Sequence, residues 1–412
     1  MGVIATGVFK KVSIKKQTAK GTKAPAGAAG SAQYQRRTQS TVGLSKSNFQ
    51  SKEINASQQV KDFRHGSKQV DGSLAQELSV GGHQTQMESV LRAAAAVGGT
   101  KTAATIAATA GAAGSAQCTL ADSANGFITA GLKIYDVVDI SGFTTTGVAN
   151  NKRAVILTLV AGSMLVQFLN RADGATKVAG DNVTIAAVGK KISIPTTGHN
   201  RDYHTINHWH ADIAQSEEFI DCVFTAMNVN VPPNDMATVE FPVMGLDMNT
   251  NTVEYFTTPA SEPSGSAMSG PNGIFLIDGA EVGNLTSFQS STNGNHSTPD
   301  GVVGKNVKPD VMPGVITDTG SLSVLFQDGT IRDKFIGEVI GSMCLVLIAD
   351  NTANPDFVSF VRPKCKFNSA TKDDQQTQLT QSVSFQALQN TAGGAAVSTT
   401  NTTLTIQDSQ LA

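Results

Sequence analysis

The sequence predicts a mainly β chain in which one β unit with a flanking helix occurs twice, with a small β domain inserted into the first copy. Three observations predict it. The 412 residues are 40% apolar but only 16% charged and 6% aromatic. An average globular chain carries roughly 25% charge, so this surface is dressed in Ser, Thr, Asn and Gln, and the core rests on Val, Ile, Leu and Ala. Strand-length runs rich in β-branched residues recur between glycines. A Gly-Ser-Leu strand, then a turn, then a helix, appears at two places 248 residues apart. The length itself calls for two or three domains.

Residues 1–40 read as a basic N-terminal arm. Residues 1–70 hold 13 Lys/Arg against Glu53 and Asp62, whereas the remainder holds 18 against 31. Such an arm contacts either phosphates or the acidic body of a neighbouring copy. Phe9 and Tyr34 are the aromatic residues before Phe49, too few for a base-stacking surface. Lys10, Lys11, Lys15, Lys16, Arg36 and Arg37 are therefore candidate subunit-interface residues. Residues 17–33 have a linker composition, and Ala26–Gln33 (AGAAGSAQ) recurs identically at Ala110–Gln117.

In the first copy, Val70–Leu78 reads as the repeated strand and Gln86–Ala96 as its helix, with Met87, Val90 and Leu91 on one face. The strands Phe219–Val231 and Thr238–Leu246 follow, parted by Pro232-Pro233-Asn234-Asp235. In the second copy, Thr319–Phe326 is the strand and Ile331–Ile340 the helix, with Phe335, Ile336 and Val339 apolar. Strands Phe357–Phe367 and Thr380–Leu388 follow. Matching Phe241 to Phe385 gives an offset of 144, which leaves 104 residues inserted in the first copy. Residues 98–201 fill that gap: a flexible Ala/Gly/Thr stretch to 117, then β runs at 133–140, 152–160, 163–169 and 182–187.

Several classes are excluded. No apolar run reaches the roughly 18–20 residues of a membrane span, and the N-terminus lacks the apolar core of a signal peptide. Cys118, Cys222, Cys344 and Cys365 form no C-x-x-C pair and read as buried thiols. No G-x-S-x-G, H-E-x-x-H or Walker sequence occurs. Glu217-Glu218 point to opposite faces of a strand, so they cannot share a substrate. The sharpest catalytic candidate is a polar cluster, His204, His208 and His210, which share one strand face with Ile206 and Asp212; His208 and His210, two apart, could ligate zinc together with a third ligand from another strand. The same three histidines also suit a polar interface. No cofactor is expected.

The segment Glu53–Leu74, with Asp62, Arg64-His65-Gly66, Val70 and Gly72, followed by Glu77-Leu78-Ser79 and Gly81, resembles the leading hairpin of major tail tube proteins of long-tailed, non-contractile bacteriophages. Gly131–Val138 and Ala149–Arg153 resemble that family's inserted domain, with Lys152 standing where the family usually has Gly. The resemblance implies two tail-tube-type β-sandwich or barrel domains, each with a flanking helix. The first comprises 41–97 and 202–250, the second 251–390, with 98–201 as the small inserted domain, projecting outward, and 391–412 as a C-terminal arm. It further implies a virion structural protein without enzymatic activity. Such a protein polymerises as stacked rings that conduct dsDNA, with the tape measure, tail terminator and tail tip as further partners and no membrane anchor. Six tube domains make the family's usual ring, so two per chain implies a trimer with pseudo-sixfold walls. Asp62, Arg64, His65 and Gly66 become ring-to-ring contact candidates, or simply a hairpin tip closed by Gly66. The alternatives from other classes are a virion adhesin whose insert binds a glycan, and a histidine-site metalloenzyme.

Overall fold

A computed structural model describes residues 4–27, 32–374 and 378–411, and it is mainly β. Eight strands form one continuous antiparallel wall, in the order Gly43–Gln50, Phe63–Glu77, Thr238–Gly245, Ala226–Val231, Leu285–Asn293, Thr317–Leu325, Leu379–Ala387 and Phe357–Asp374. The first four come from the first copy and the last four from the second, in the same order. The seam between Ala226–Val231 and Leu285–Asn293 is thus a junction between repeats.

The duplication is visible in register. Leu74 stands opposite Phe241, and Leu322 opposite Val383. The structural counterpart of Phe241 is therefore Val383 and not Phe385, two residues from the sequence match. Alternation explains why both fit the pattern: Val383 and Phe385 are both buried on the same face, so periodicity alone does not distinguish a slip of two.

Each half of the wall is one layer of a sandwich. Behind the first half lies a sheet of Gln33–Tyr34, Lys10–Lys16, His204–His210, Gln215–Phe224 and Asp247–Asn251. Val12, Ile14, Ile206 and Phe219 from this sheet meet Val70, Leu74, Phe241 and Val243 of the wall in one core. Behind the second half, Gly273–Ile277, Gly341–Ile348, Phe357–Asp374, Thr405–Asp408 and Lys190–Ser193 pair in turn. Lys10–Lys16 and Gly273–Ile277 occupy the same place in the two copies, each pairing with the strand that precedes the long one.

Lys10–Lys16 is thus an integral strand and not part of an arm. In Lys-Lys-Val-Ser-Ile-Lys-Lys the buried Val12 and Ile14 supply the alternation that the flanking charges mask in composition. The expected linker is also folded over as far as it is described. The Gln17 amide donates to the Tyr203 carbonyl at 2.7 Å, the Gly21 amide to Asp221, and Lys23 pairs with the buried Glu218 at 2.6 Å. Residues 28–31 of the repeated AGAAGSAQ segment lie outside the described residues. The segment expected to be a C-terminal arm is a wedge instead, with Leu404, Ile406 and Leu411 buried.

Both helices are shorter than expected. The first spans Gln84–Leu91 and buries Met87, Val90 and Leu91 as its periodicity requires. It stops because Arg92 turns left-handed (φ 56°) and its guanidinium donates to the carbonyls of Gly314 and Gly294 at 2.8 and 2.7 Å. The second spans Thr330–Ile336 and ends at Gly337. Ile331 and Phe335 pack on the core, but Ile336 and Val339 are exposed, because the helix ends before the expected stripe can form.

The insert is a seven-stranded sheet in the order Thr100–Ala103, Val183–Ala187, Val137–Ser141, Arg153–Val160, Ser163–Phe168, Gln117–Asp122 and Ile106–Ala110. The stretch expected to be flexible thus contributes two strands, Thr100–Ala103 and Ile106–Ala110, because Ile106 and Ala108 enter the insert's core. Lys152 donates to the carbonyls of Ala172 and Asp173 and lies 4.1 Å from the Phe168 ring centre, so a lysine here braces a loop that glycine would leave open. Tyr135, Val137, Val155, Leu157 and Leu169 pack against Ile274, Leu276, Cys344, Val346 and Ile348. Those residues alternate with Phe275, Ile277, Met343, Leu345 and Leu347, which face the wall. The insert therefore covers the side of the second outer sheet that is turned away from the wall, as a third layer.

Lys133 fastens this layer to the C-terminal segment. Its Nζ donates to the carbonyls of Gly394, Ala395 and Val397 at 2.8, 2.9 and 2.6 Å. Lys133→Met is expected to cost about 2 kcal/mol, as for hydrogen bonds to a charged group. Denaturant titration measures that loss, and faster amide exchange at 394–400 locates it.

Candidate functional site

The wall has one buried and one open face, and the open face is unusual in its chemistry. Ser73, Asn228, Asn230, Gln289, Ser291, Thr319, Ser321, Ser382 and Ser384 lie on it in cross-strand register. Their alternation with Leu74, Val229, Leu322 and Val383 follows from the period-2 strand. A shallow trough of about 900 Å³ runs across this face over both copies. Asp71, Glu77 and Glu240 lie on it in the first half, and Asp373 in the second. Lys366, in register with Gln386 on the same face, has its ammonium 3.2 Å from Glu338. Such a face offers hydrogen bonds through hydroxyls and amides with little fixed positive charge, so it has little to hold a phosphate.

The wall is open at both lateral edges. Gly43–Gln50 pairs with Phe63–Glu77 alone, and the last part of Phe357–Asp374, from Lys366 onward, pairs with Leu379–Ala387 alone. Unpaired edges of this length invite another strand.

The two ends of the wall are apolar. At one end the hairpin of Gly43–Gln50 and Phe63–Glu77 continues past Gly245, which stands opposite Val70, by about 20 Å at the rise of an extended strand. Phe49, Ile54, Val60 and Phe63 are exposed on it, and Val302 and Val303 of the neighbouring loop are exposed beside them. At the other end Met236 and Leu325 are exposed. Exposed apolar groups of this size mark interaction surfaces.

Asp62, Arg64, His65 and Gly66 lie on this projecting hairpin. Arg64 pairs with Asp62 at 3.0 Å, both exposed, and His65 Nδ1 lies 3.0 Å from Asn48 Oδ1. Gly66 does not close a tip: the turn is 51–62, and Gly66 sits within the strand. A Cβ there would lie 2.4 Å from the Phe49 ring and 2.3 Å from Ser47 Oγ, so glycine is required by cross-strand packing.

The expected interface cations divide. Lys15 is buried and donates to the Pro25 carbonyl, and Lys16 pairs with Asp202 at 2.8 Å, so both are committed within the chain. Lys10, Lys11, Arg36 and Arg37 instead line one cleft, in which Lys10 reaches the Ser40 carbonyl of the short Gln39–Ser40 strand.

His204 and His208 do share a face with Ile206, but that face is the core. His204 packs on Phe224 and His208 on Phe219, with His208 Nε2 2.9 Å from Ser40 Oγ. Burial pushes both imidazoles down to about 4, keeping them neutral. His210, half-buried, lies 3.9 Å from Glu217. No group of three metal-binding side chains occurs among the described residues, and none of their helices is long and apolar enough to cross a membrane.

Sequence reasoning missed the open polar face, although Ser321/Ser323 and Ser382/Ser384 announce it by their period of two. It also missed Asp318 and Arg362, a buried ion pair that nothing in local sequence links.

A polar face with few charges, between two unpaired edges and two ends that expose apolar groups, describes a structural subunit built to join others. Residues 10–387 match the family described as phage tail tube protein, and the chain belongs to that family. It is a structural component of a virion tail, of a kind that assembles with itself into a tube alongside other tail proteins. No match is found among curated proteins.

Proposed function

We propose that three copies close into a pseudo-sixfold ring and that rings stack into the tail tube of a long-tailed, non-contractile phage, which conducts dsDNA from capsid to host. The single observation that carries this is the internal junction. There the last wall strand of the first copy pairs with the first wall strand of the second along six residue pairs, Ala226–Asn293 to Val231–Phe288. The free edges of the chain are the counterparts of these two strands, so the same ladder joins one chain to the next. With two repeats per chain, three chains supply the six domains of the family's ring, as the resemblance implies. A closed sheet has no edge left to aggregate.

The open face then lines the lumen. DNA passing through must not be held, and each phosphate contact adds to affinity; hydroxyls, amides and a few carboxylates meet that need. The projecting apolar hairpin of one ring meets the apolar far end of the next, a heterologous contact that propagates as a filament. Arg64 and Asp62 ride on that hairpin as ring-to-ring contacts. Assembly takes place in the host cytoplasm, with the tape measure protein, terminator and tip as partners.

In the internal junction Asn228 faces Ser291. Their counterparts are Thr371, which pairs with Ser382 as Asn228 does with Glu240, and Gly43, which pairs with Asp71 as Ser291 does with Thr319. A chain carrying Gly43→Cys and Thr371→Cys is expected to form disulfides between copies, since directly opposed residues lie within disulfide reach. The native cysteines are buried and do not compete. On a non-reducing gel the end product should be a covalent trimer with nothing larger; monomer alone, or a ladder without limit, overturns the ring.

A further inference from the structure

The first helix is a clamp across the internal junction. It rests on Gln215–Phe224 and Ala226–Val231 of its own copy and on Lys190–Ser193 of the second outer sheet. The left-handed Arg92 that follows it donates to the carbonyls of Gly314 and Gly294, which flank the loop of the second copy's first wall hairpin. A Cβ built on Gly294 would stand 2.9 Å from Arg92 Nη2. Any side chain at that position is therefore aimed at the guanidinium, and glycine leaves the carbonyl open to receive it.

Both partners have counterparts at the seam between chains. Wall positions correspond 248 residues apart, since Leu74 matches Leu322, and Ser45 pairs with Gln69 as Asn293 pairs with Thr317. Lys46 thus holds the place of Gly294, and Gly66 that of Gly314. The helices correspond 246 residues apart: Gln84 and Thr330 begin them, and the left-handed Arg92 (φ 56°) and Glu338 (φ 49°) follow them. An arginine facing a glycine inside the chain becomes a glutamate facing a lysine between chains.

Both charges are accessible. The Glu338 side chain is 82% exposed, and Lys366, 3.2 Å from it, belongs to the open edge strand itself. A carboxylate accepts a second ammonium without releasing the first. Lys46 is exposed on the opposite open edge, and among the described residues no carboxylate oxygen lies within 4.0 Å of it. Ile336 holds the place of Val90, which is buried, yet Ile336 is 69% exposed, as suits a helix face that a further copy covers.

We propose that the end of the second helix clamps the seam between chains as Arg92 clamps the internal junction, with Glu338 pairing with Lys46 of the partner subunit. The inference rests on the ring reading above. Lys46 brought to the internal junction would face Arg92, a like charge, so the pair also marks which hairpin belongs at which junction. A slip of one residue would turn Lys46 to the other face of the wall, so the pair holds register as well.

The test uses the full chain carrying Gly43→Cys and Thr371→Cys as a seam reporter. Lys46→Glu sets a carboxylate against Glu338 and is expected to slow cross-linking between copies about tenfold at low salt. Melting of the unassembled chain should stay at the parent's value, because Lys46 is exposed. Glu338→Lys should act alike, and Lys46→Glu with Glu338→Lys should restore the parent rate to within about threefold. High salt should shrink the difference between each single variant and the parent. Should Glu338→Lys fail to fold, Lys46→Glu and its salt dependence still decide. Parent-like cross-linking of Lys46→Glu at low salt, or a folded double variant that recovers nothing, overturns the clamp while leaving the ring intact. Absence of cross-linking in the parent overturns the ring itself.

Discussion

Replacing Arg362 by methionine is expected to destabilise the second copy by about 3–5 kcal/mol, the usual consequence of stranding one member of a buried ion pair. Arg362 Nε lies 2.7 Å from Asp318 Oδ2, and Nη2 lies 3.2 Å from Oδ1, with both side chains sealed from solvent. The guanidinium carbon stands 5.4 and 5.3 Å from the ring centres of Phe288 and Phe385, and Thr292 donates to Asp318 at 3.0 Å. Removing the guanidinium leaves a carboxylate with one hydroxyl donor inside the wall. Replacing both partners with apolar residues, Arg362→Met with Asp318→Leu, should recover most of the loss, because no buried charge then remains. Denaturant midpoints of the two variants measure the contrast. An Arg362→Met protein as stable as its parent would show that the pair contributes nothing. Because Asp318 stands at the level of the Thr292–Asp318 rung beside the repeat junction, the single variant is also expected to reduce tube yield.

The protein is expected to lose stability steeply between pH 6.5 and 4. Burial pushes His83, His204 and His208 down to about 4. In that window the unfolded chain binds protons that the folded one refuses, so stability falls as pH falls, by up to roughly 3 kcal/mol per imidazole. Asp408 works in the other direction. Burial, ahead of any other influence, raises its carboxyl to about 6, while the amides of Gly81 and Gln410 donate to it at 2.8 Å. Between about pH 6 and 4 the folded state holds a proton there that the unfolded state has released, so acidification favours folding at this position. His296, which burial likewise lowers to about 4, adds to the three imidazoles that act against it. Asp408→Asn removes the opposing contribution and should make acid unfolding steeper; His204→Asn should make it shallower. Melting temperatures across pH 7 to 4 read both effects.

Several features of this fold are legible from residues in isolation. The Gly72 and Gly320 strands, the Met87/Val90/Leu91 helix face and the runs at 153–160 and 163–168 follow from local periodicity, since a strand or helix with one buried side must repeat at its own pitch. Other features are not. Lys10–Lys16 carries four lysines and reads as an arm until Val12 and Ile14 find a core. Ile336 and Val339 have a helical stripe's spacing, but Gly337 ends the helix early and leaves them exposed. His204 and His208 show the spacing of ligands and the surroundings of core residues. The open polar face was announced by alternating serines, yet nothing local says that the serines and amides of separate strands share one surface.

What the sequence determined by itself was composition, periodicity and duplication: a β chain, repeated, with an insert of its own. Only the tertiary structure decided the order of strands in the wall, the two-residue register between the repeats, the packing of the insert on the second outer sheet and the pairing of Arg362 with Asp318. The physical reason is range. Backbone propensity and alternation act between residues a few positions apart, whereas sheet order and buried charge pairs are chosen by contacts between segments tens to hundreds of residues apart, each worth little until all of them close together.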